Sequence, residues 1–422
     1  MAGEWQSMTA AQAFVINPRI QPPRARSLPF VDMAAVDGSA QYVEASQTRG
    51  LGGGSRFEDG DTLMARITPC LENGKIARFR STDRHGFGFG STEFIVFRGR
   101  DGVTTSDFAF YTVKSRSFRD FAISQMSGTS GRQRVPTTCF EHLHLSIPSI
   151  ATQQAITAIL SALDEKIEIN QLAASTLEEM ARALFKSWFV DFDPVHAKAE
   201  GRDTGLSADI AALFPASVDD EGLPLGWIRT RADAIAQLVR SAADPRAMPR
   251  KTPYIGLEHL PRKSLGLGSY GHAGEVESGK LHFKAGDLLF GKLRPYFHKV
   301  SVAPFDGIAS SEIFVFRAKS ERYGALMYFG FSEDQFVASA SGASTGTRMP
   351  RADWSYMSEQ QFTTDDGQVL GVFNEFALSH VSQISERLEE CRKLEQLRDT
   401  LLPKLLSGEL RVADAESVIA AA

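Results

Sequence analysis

The longest uninterrupted pattern in the chain runs from Ser149 to Asp193, a stretch with neither glycine nor proline. Apolar side chains recur there at steps of three and four: Ile156, Ile159, Leu163 and Ile167, then Asn170, Ala174, Leu177, Met180, Leu184 and Trp188. Such spacing draws one narrow stripe along a helix, the kind that packs along a partner helix. At about 1.5 Å per residue the helix would reach roughly 60 Å. Val372 to Leu402 repeats the pattern with Phe373, Ala377, Val381, Ile384, Leu388, Cys391, Leu394, Leu397 and Leu401. The two stripes predict two long helices that pair and hold apart what lies between them. Asn170, polar within an apolar seam, is expected to set the register of the pair.

Breakers divide the rest. Pro148 should stop the segment before the first helix, with Ser149 as its N-cap, and Pro403 and Gly408 should close the second. Residues 194–226 are rich in proline and glycine and read as a connector. The expected organisation is a globular domain over 1–148, a helix over 149–193, the connector, a second domain over 227–371, a helix over 372–407 and a tail over 408–422.

The two domains are copies of one unit. Leu28–Met33 answers Thr252–Leu257, and Phe57-Glu58-Asp59-Gly60-Asp61 answers Phe283-Lys284-Ala285-Gly286-Asp287. Arg66, Thr68 and Pro69 meet Lys292, Arg294 and Pro295 in the same frame. Ser91–Arg98 answers Ser310–Arg317 with glutamate on glutamate, and Gly128–Pro136 answers Gly342–Pro350. A repeat this long is a duplicated domain. Within each copy, short runs rich in β-branched and aromatic residues read as strands, and helical segments precede the Gly/Ser/Thr-rich loops. The fold class is mixed α/β.

Composition adds little by itself. The net charge is −5, with 43% hydrophobic and 23% charged residues. Residues 1–150 carry 17 Lys+Arg against 14 Asp+Glu, short of the excess that binds nucleic acid by charge alone. Three well-separated cysteines suggest neither a disulfide framework nor a zinc site, and no stretch suits a membrane span, so a cytoplasmic protein is expected. Enzyme motifs fail to assemble. Asn17-Pro18-Arg19 is not an adenine-methyltransferase motif, and Gly86–Gly90 leads into a strand instead of a helix. His142 and His144 beside Glu141 have no third ligand at a usual spacing. No cofactor or metal is expected.

Two similar domains, each leading into a long helix, resemble the specificity subunit of Type I restriction–modification systems. The resemblance is most specific at Pro148–Ile156, followed by Ile159-Leu160 and Leu163–Ile167. It is also carried by Phe185-Lys186-Ser187-Trp188-Phe189 and Lys404–Leu410. The chain departs from the family in having Thr152 before the Gln153-Gln154 pair, and Asp365-Asp366-Gly367-Gln368 before the second helix. The resemblance implies two target-recognition domains set apart by an antiparallel coiled coil, each reading half of a split site in double-stranded DNA. It implies docking of two methyltransferase subunits and, in the full complex, of restriction and motor subunits. The length of the helix pair would fix the spacing of the half-sites. On this reading the DNA contacts are expected from Arg132, Gln133 and Arg134 in one loop and Thr347 and Arg348 in its counterpart. A second group is Arg66, Thr68 and Lys75, matched by Lys292, Arg294, Tyr296, His298 and Lys299. Arginine and glutamine suit guanine and adenine edges, and hydroxyls suit phosphates. Trp188 and Phe189 fit either a core or a docking surface. A coiled-coil scaffold or a stand-alone DNA-binding regulator fits the helix stripes equally well.

Overall fold

A computed structural model describes residues 5–129, 131–342 and 350–420. The chain divides into two compact units. One takes in the residues up to Glu168 and those from Lys393 onward, and the other is Ile169–Arg392.

In the first unit a five-stranded sheet has the order Phe14–Ile16, Phe94–Gly99, Thr62–Ala65, Ile76–Phe79, Tyr42–Val43. A four-stranded sheet follows the order Gln47–Arg49, Leu28–Val31, Phe87–Gly90, Ser55–Glu58, with the middle pair parallel. The second unit repeats both. Its first sheet runs Ala236–Val239, Ile313–Ala318, Leu288–Gly291, Val300–Val302. Its other sheet runs Gly271–His272, Pro253–Ile255, Gly307–Ala309, Lys280–Phe283, with Ala242–Ala243 added at the edge and again one parallel pair. Each unit also closes with a two-stranded ribbon, Gln6–Thr9 on His144–Ile147 and Ile228–Arg231 on Gln361–Thr364.

The repeated Gly-Asp turn explains its own repetition. Asp61, buried before its strand, accepts two 2.7 Å bonds from Arg98 of the neighbouring strand and one from the Glu58 amide. Asp287 does the same with Arg317 and the Lys284 amide. A charge-assisted fork ties turn to strand in both copies.

Against the sheets lie α1 (Ser106–Lys114) and α2 (Arg116–Ser124), and then α3 (Ile150–Phe189) begins. Ser149 caps α3 by accepting from the Thr152 amide. Gln153, fully buried, donates to the carbonyls of Val103 and Pro148 and accepts from the Thr105 amide, fastening the start of α3 to the start of α1. In the second unit the helices are α4 (Gly324–Phe331), α5 (Asp334–Gly342) and α6 (Gln368–Ser407). Asn374 plays the part of Gln153 there, accepting from the Ala325 amide. That is how the copy manages without the Gln-Gln entry.

Two helix details differ from the expectation. Helix α6 starts at Gln368, because the Asp365 carboxylate accepts from the amides of Val369 and Leu370. It also passes through Pro403 and ends at Gly408, whose φ of 76° breaks the helix. The carbonyl that Pro403 leaves without a partner belongs to exposed Asp399, where water can serve it.

The α3 stripe is buried as far as Ala174 and then continues through Glu178, Ala181, Phe185 and Trp188, while Met180 is 50% exposed. The carboxylate of Glu178 is satisfied in its burial by Arg182, the Ser264 hydroxyl and the Leu265 amide. Within the second unit α3 and α6 run antiparallel: Asn170 Nδ2 donates to Glu390 Oε2 at 2.9 Å, and Phe185, Trp188 and Phe189 all pack on Phe373. Trp188 and Phe189 are core residues, enclosed with Phe214 and Trp227.

Candidate nucleic-acid interface

In the first unit, strand Thr62–Ala65 ends at Arg66 beside Glu93, which opens strand Phe94–Gly99; the Arg66 amide donates to the Glu93 carbonyl at 2.9 Å. The loop ending at Val135 crosses this strand end. Thr68 and Gln133 exchange two bonds: amide to carbonyl at 3.0 Å, and Gln133 amide to Thr68 Oγ1 at 3.1 Å. The Val135 amide then donates to the Arg66 carbonyl. Arg134 fixes the loop from outside, its guanidinium reaching Glu93 at 2.7 and 3.0 Å. These bonds hold the Glu93 carboxyl below its ordinary range.

The second unit builds the same junction. The Lys292 amide donates to the Glu312 carbonyl, Arg294 to the Pro350 carbonyl, and Ala352 back to the Lys292 carbonyl, each at 2.8 Å. Arg351 reaches Glu312 at 3.1 Å. Arg351 is therefore the structural counterpart of Arg134. The sequence comparison had set Arg348 there, three residues early, because it aligned Pro136 with Pro350 whereas Pro350 occupies the place of Gln133. Thr347 and Arg348 lie outside the described residues.

The other predicted side chains separate into two groups. Arg66, Thr68, Gln133 and Arg134 meet at one junction, and exposed Arg132 flanks it with no ion pair among the described residues. The Arg66 Nε is buried there without a hydrogen-bond partner. Lys75 and Lys299 are braces instead. Lys75 Nζ donates to the Met33 carbonyl at 2.8 Å, and Lys299 Nζ to the matching Leu257 carbonyl. Lys292 Nζ is bound to the Ser311 carbonyl at 2.6 Å and sits 4.6 Å from the Phe314 ring, with burial pushing its pKa down. His298 is buried, its Nε2 2.8 Å from the Ser332 carbonyl and its Nδ1 3.2 Å from Asp334, and burial lowers its pKa too. Its ring is occupied within the unit. Arg294 and Phe297 instead line a cleft of about 400 Å³ with Arg262, beside the exposed Tyr296.

A further basic surface escaped the sequence reading. Arg19, Arg24, Arg26, Arg49 and Arg56 are all exposed around the four-stranded sheet of the first unit, with no ion pair among the described residues. Arg49 lies 4.1 Å over the Phe30 ring, and Arg56 donates to the Ile20 carbonyl. The readable signal was an absence: 17–31 and 45–57 contain no acidic residue. In the second unit Arg240, Arg250 and Lys251 are exposed and likewise without an ion pair among the described residues, whereas Arg246 is taken by Asp244. Among the described residues no group of three or more His, Cys, Asp or Glu could hold a metal, and no helix is long and apolar enough to cross a membrane.

What these surfaces carry is a duplicated, loop-pinned junction with a rim of arginine. Residues 66–179, which open on Arg66 and span the first junction, match the family model described as the Type I restriction modification DNA specificity domain. The chain is 25% identical to the HindI specificity subunit of Haemophilus influenzae, covering 87% of this chain and 91% of that one. It is 24% identical to the MjaIX specificity subunit of Methanocaldococcus jannaschii, over 75% and 71% respectively. A crystal structure of a Type I restriction–modification S subunit from M. genitalium shares the fold at a TM-score of 0.54 and 13% identity, over 96% of each chain. Over residues 66–179 the chain is thus similar to the DNA specificity domain. In particular, it is a relative of the specificity subunits of Type I restriction–modification systems.

Proposed function

We propose that this chain reads DNA sequence for a Type I restriction–modification complex in the cytoplasm and catalyses nothing itself. Each copy of the repeated unit takes one half of a split target in double-stranded DNA. The chain docks two methyltransferase subunits and, in the full complex, restriction and motor subunits. The observation that carries this reading is the junction built twice, once in each unit, in a chain related to specificity subunits over most of its length. A scaffold has no use for two such junctions.

Chemistry supports a division of labour. Arg134 and Arg351, engaged by glutamates, hold the loops. Arg66, Thr68, Arg132, Gln133, Arg294 and Tyr296, with Thr347 and Arg348, are left to meet bases and phosphates. A well-placed base contact discriminates by roughly 1–3 kcal/mol, so a single unit reads only a few base pairs. Joining two makes the second contact intramolecular, and their specificities combine.

The test is to co-express the chain with the methyltransferase encoded beside it and map methylated adenines in host DNA. The expected outcome is a split motif that is lost when Arg132 and Gln133 are replaced by alanine. Methylation by this chain without a partner would make it an enzyme. Tight sequence-specific binding by the chain alone, with no methylation when the partner is present, would favour a stand-alone regulator.

A further inference from the structure

Five arginines border one face of the four-stranded sheet in the first unit, away from the loop junction. Residues paired across neighbouring strands share a face. Arg49 pairs with Leu28 and Arg56 with Phe89, and Leu28, Phe30, Phe87 and Phe89 form one buried cluster with Ile20. Ile20 belongs to the loop 17–27, which Arg56 fastens to the sheet by donating to the Ile20 carbonyl at 3.2 Å. That loop carries Arg19, Arg24 and Arg26, and Pro18, Pro22 and Pro23 stiffen it. All five arginines are exposed, and none has an ion pair among the described residues. Glu58, the carboxylate at the end of the same row, is taken by Arg98 at 2.7 Å.

The fold does not ask for these charges. In the second unit His282 pairs with Ile308 where Arg56 pairs with Phe89, and the Ala273 amide meets the Thr252 carbonyl where Arg49 pairs with Leu28. The same sheet forms there with histidine and alanine in the two places. Nor does the fold ask for Gly52 and Gly53, which have open space around them and no left-handed φ. Glycine there lets a ligand come close to the backbone. Like charges gathered on one face repel one another, and a polyanion turns that cost into attraction. Gly90, at the end of this sheet, precedes Glu93 of the junction by three residues, a reach of about 11 Å at most. One duplex can therefore touch both.

We propose that this face holds the phosphate backbone of the DNA, leaving sequence to the junction. The inference rests on the DNA reading and adds to it the surface that supplies salt-dependent affinity.

The test uses the full chain co-purified with the methyltransferase encoded beside it. Fluorescence anisotropy follows binding of a duplex with the split motif and of a scrambled duplex, from about 50 to 200 mM salt. Each phosphate contact contributes about 0.9 to the slope of log affinity against log salt. Arg24→Gln/Arg26→Gln and Arg49→Gln/Arg56→Gln should each lower that slope by about 1.8, so the affinity lost across this range shrinks roughly tenfold. Both duplexes should respond alike, and the methylated motif should stay the same. Arg49→Lys/Arg56→Lys should keep the slope, because a phosphate needs the charge and not the fork. Thermal melting of the Arg24→Gln/Arg26→Gln pair should match the parent. An unchanged slope in both glutamine pairs overturns the proposal, as does a lysine pair that behaves like its glutamine counterpart. Loss of the methyltransferase from the variant complexes would make the face a protein-docking surface and overturn it too. A parent complex that binds neither duplex sinks the DNA reading as well, whereas methylation with an untouched slope sinks this inference alone.

Discussion

Replacing Asp287 by alanine removes three hydrogen bonds at once, two from Arg317 and one from the Lys284 amide. Asp287 is 1% exposed, so the residues it leaves behind must find other partners. Breaking a buried pair from one side costs about 3–5 kcal/mol. The Arg317 side chain is 35% exposed and can recover part of its hydration, which places the loss near the low end, about 3 kcal/mol. For a unit of this size that amounts to roughly 6–12 °C in Tm. The twin substitution Asp61→Ala is the internal control. Arg98 keeps Glu58 at 2.7 Å when Asp61 goes, whereas Arg317 has no second carboxylate in an ion pair among the described residues. Asp61→Ala should therefore cost less, by up to about 1 kcal/mol. Denaturant unfolding followed by tryptophan fluorescence suits the Asp287 variant, because Trp188, Trp227 and Trp354 all lie in the second unit. Circular dichroism suits the other. A loss below about 0.5 kcal/mol for Asp287→Ala, or a larger loss for Asp61→Ala, would refute the idea that the repeated Gly-Asp turn is kept for this fork.

Gln153→Ala should destabilise the first unit by about 2–3 kcal/mol, since it strands two carbonyls and an amide at the start of α3; urea titration would show it. Arg351→Ala should disturb one half of the methylated motif as Arg134→Ala disturbs the other, and adenine mapping of both variants decides whether the two positions are equivalent. The Glu93 carboxyl, held low by Arg134, contributes stability that is fully present above the unfolded carboxylate range and is lost as pH falls through its lower folded pKa. Protease nicking near Arg132 should accordingly rise in acid, and the rise should vanish in Glu93→Gln. Thiol labelling of the native chain should find Cys70 first: Cys139 is buried, with its thiol pushed up to about 11, and Cys391 is buried as well.

The duplicated fold was legible because its markers have fixed jobs. The Gly-Asp turns and the glutamates opening a strand recur since each holds a fork or a loop. What failed to show lay where the physics is not periodic. The Arg134 counterpart was placed three residues early because loop length drifts between copies while the strand-end bonds do not. Glu178 broke the apolar pattern of α3 although it is buried, since its partners Ser264 and Leu265 come from a distant stretch of chain. Lys75, Lys299 and His298 looked like contact residues and turned inward; no local spacing distinguishes a lysine bound to a carbonyl from one in solvent. The arginines around Phe30 were overlooked because net charge was averaged over the whole domain.

The partition of the two long helices has a consequence for how the protein is made. The first unit is completed by residues from Lys393 onward, including Leu401, Leu402 and Leu405, which pack with Ile156, Leu160 and Leu163. On the ribosome these arrive after all of the second unit has been synthesised. The part of this unit up to Glu168 therefore waits, with the apolar face of α3 uncovered, until the residues from Lys393 onward emerge. The second unit, contiguous from Ile169 to Arg392, can close earlier. Maturation runs against the order of translation, and an early stop codon beyond Arg392 would damage the amino-terminal unit and spare the one nearer the break.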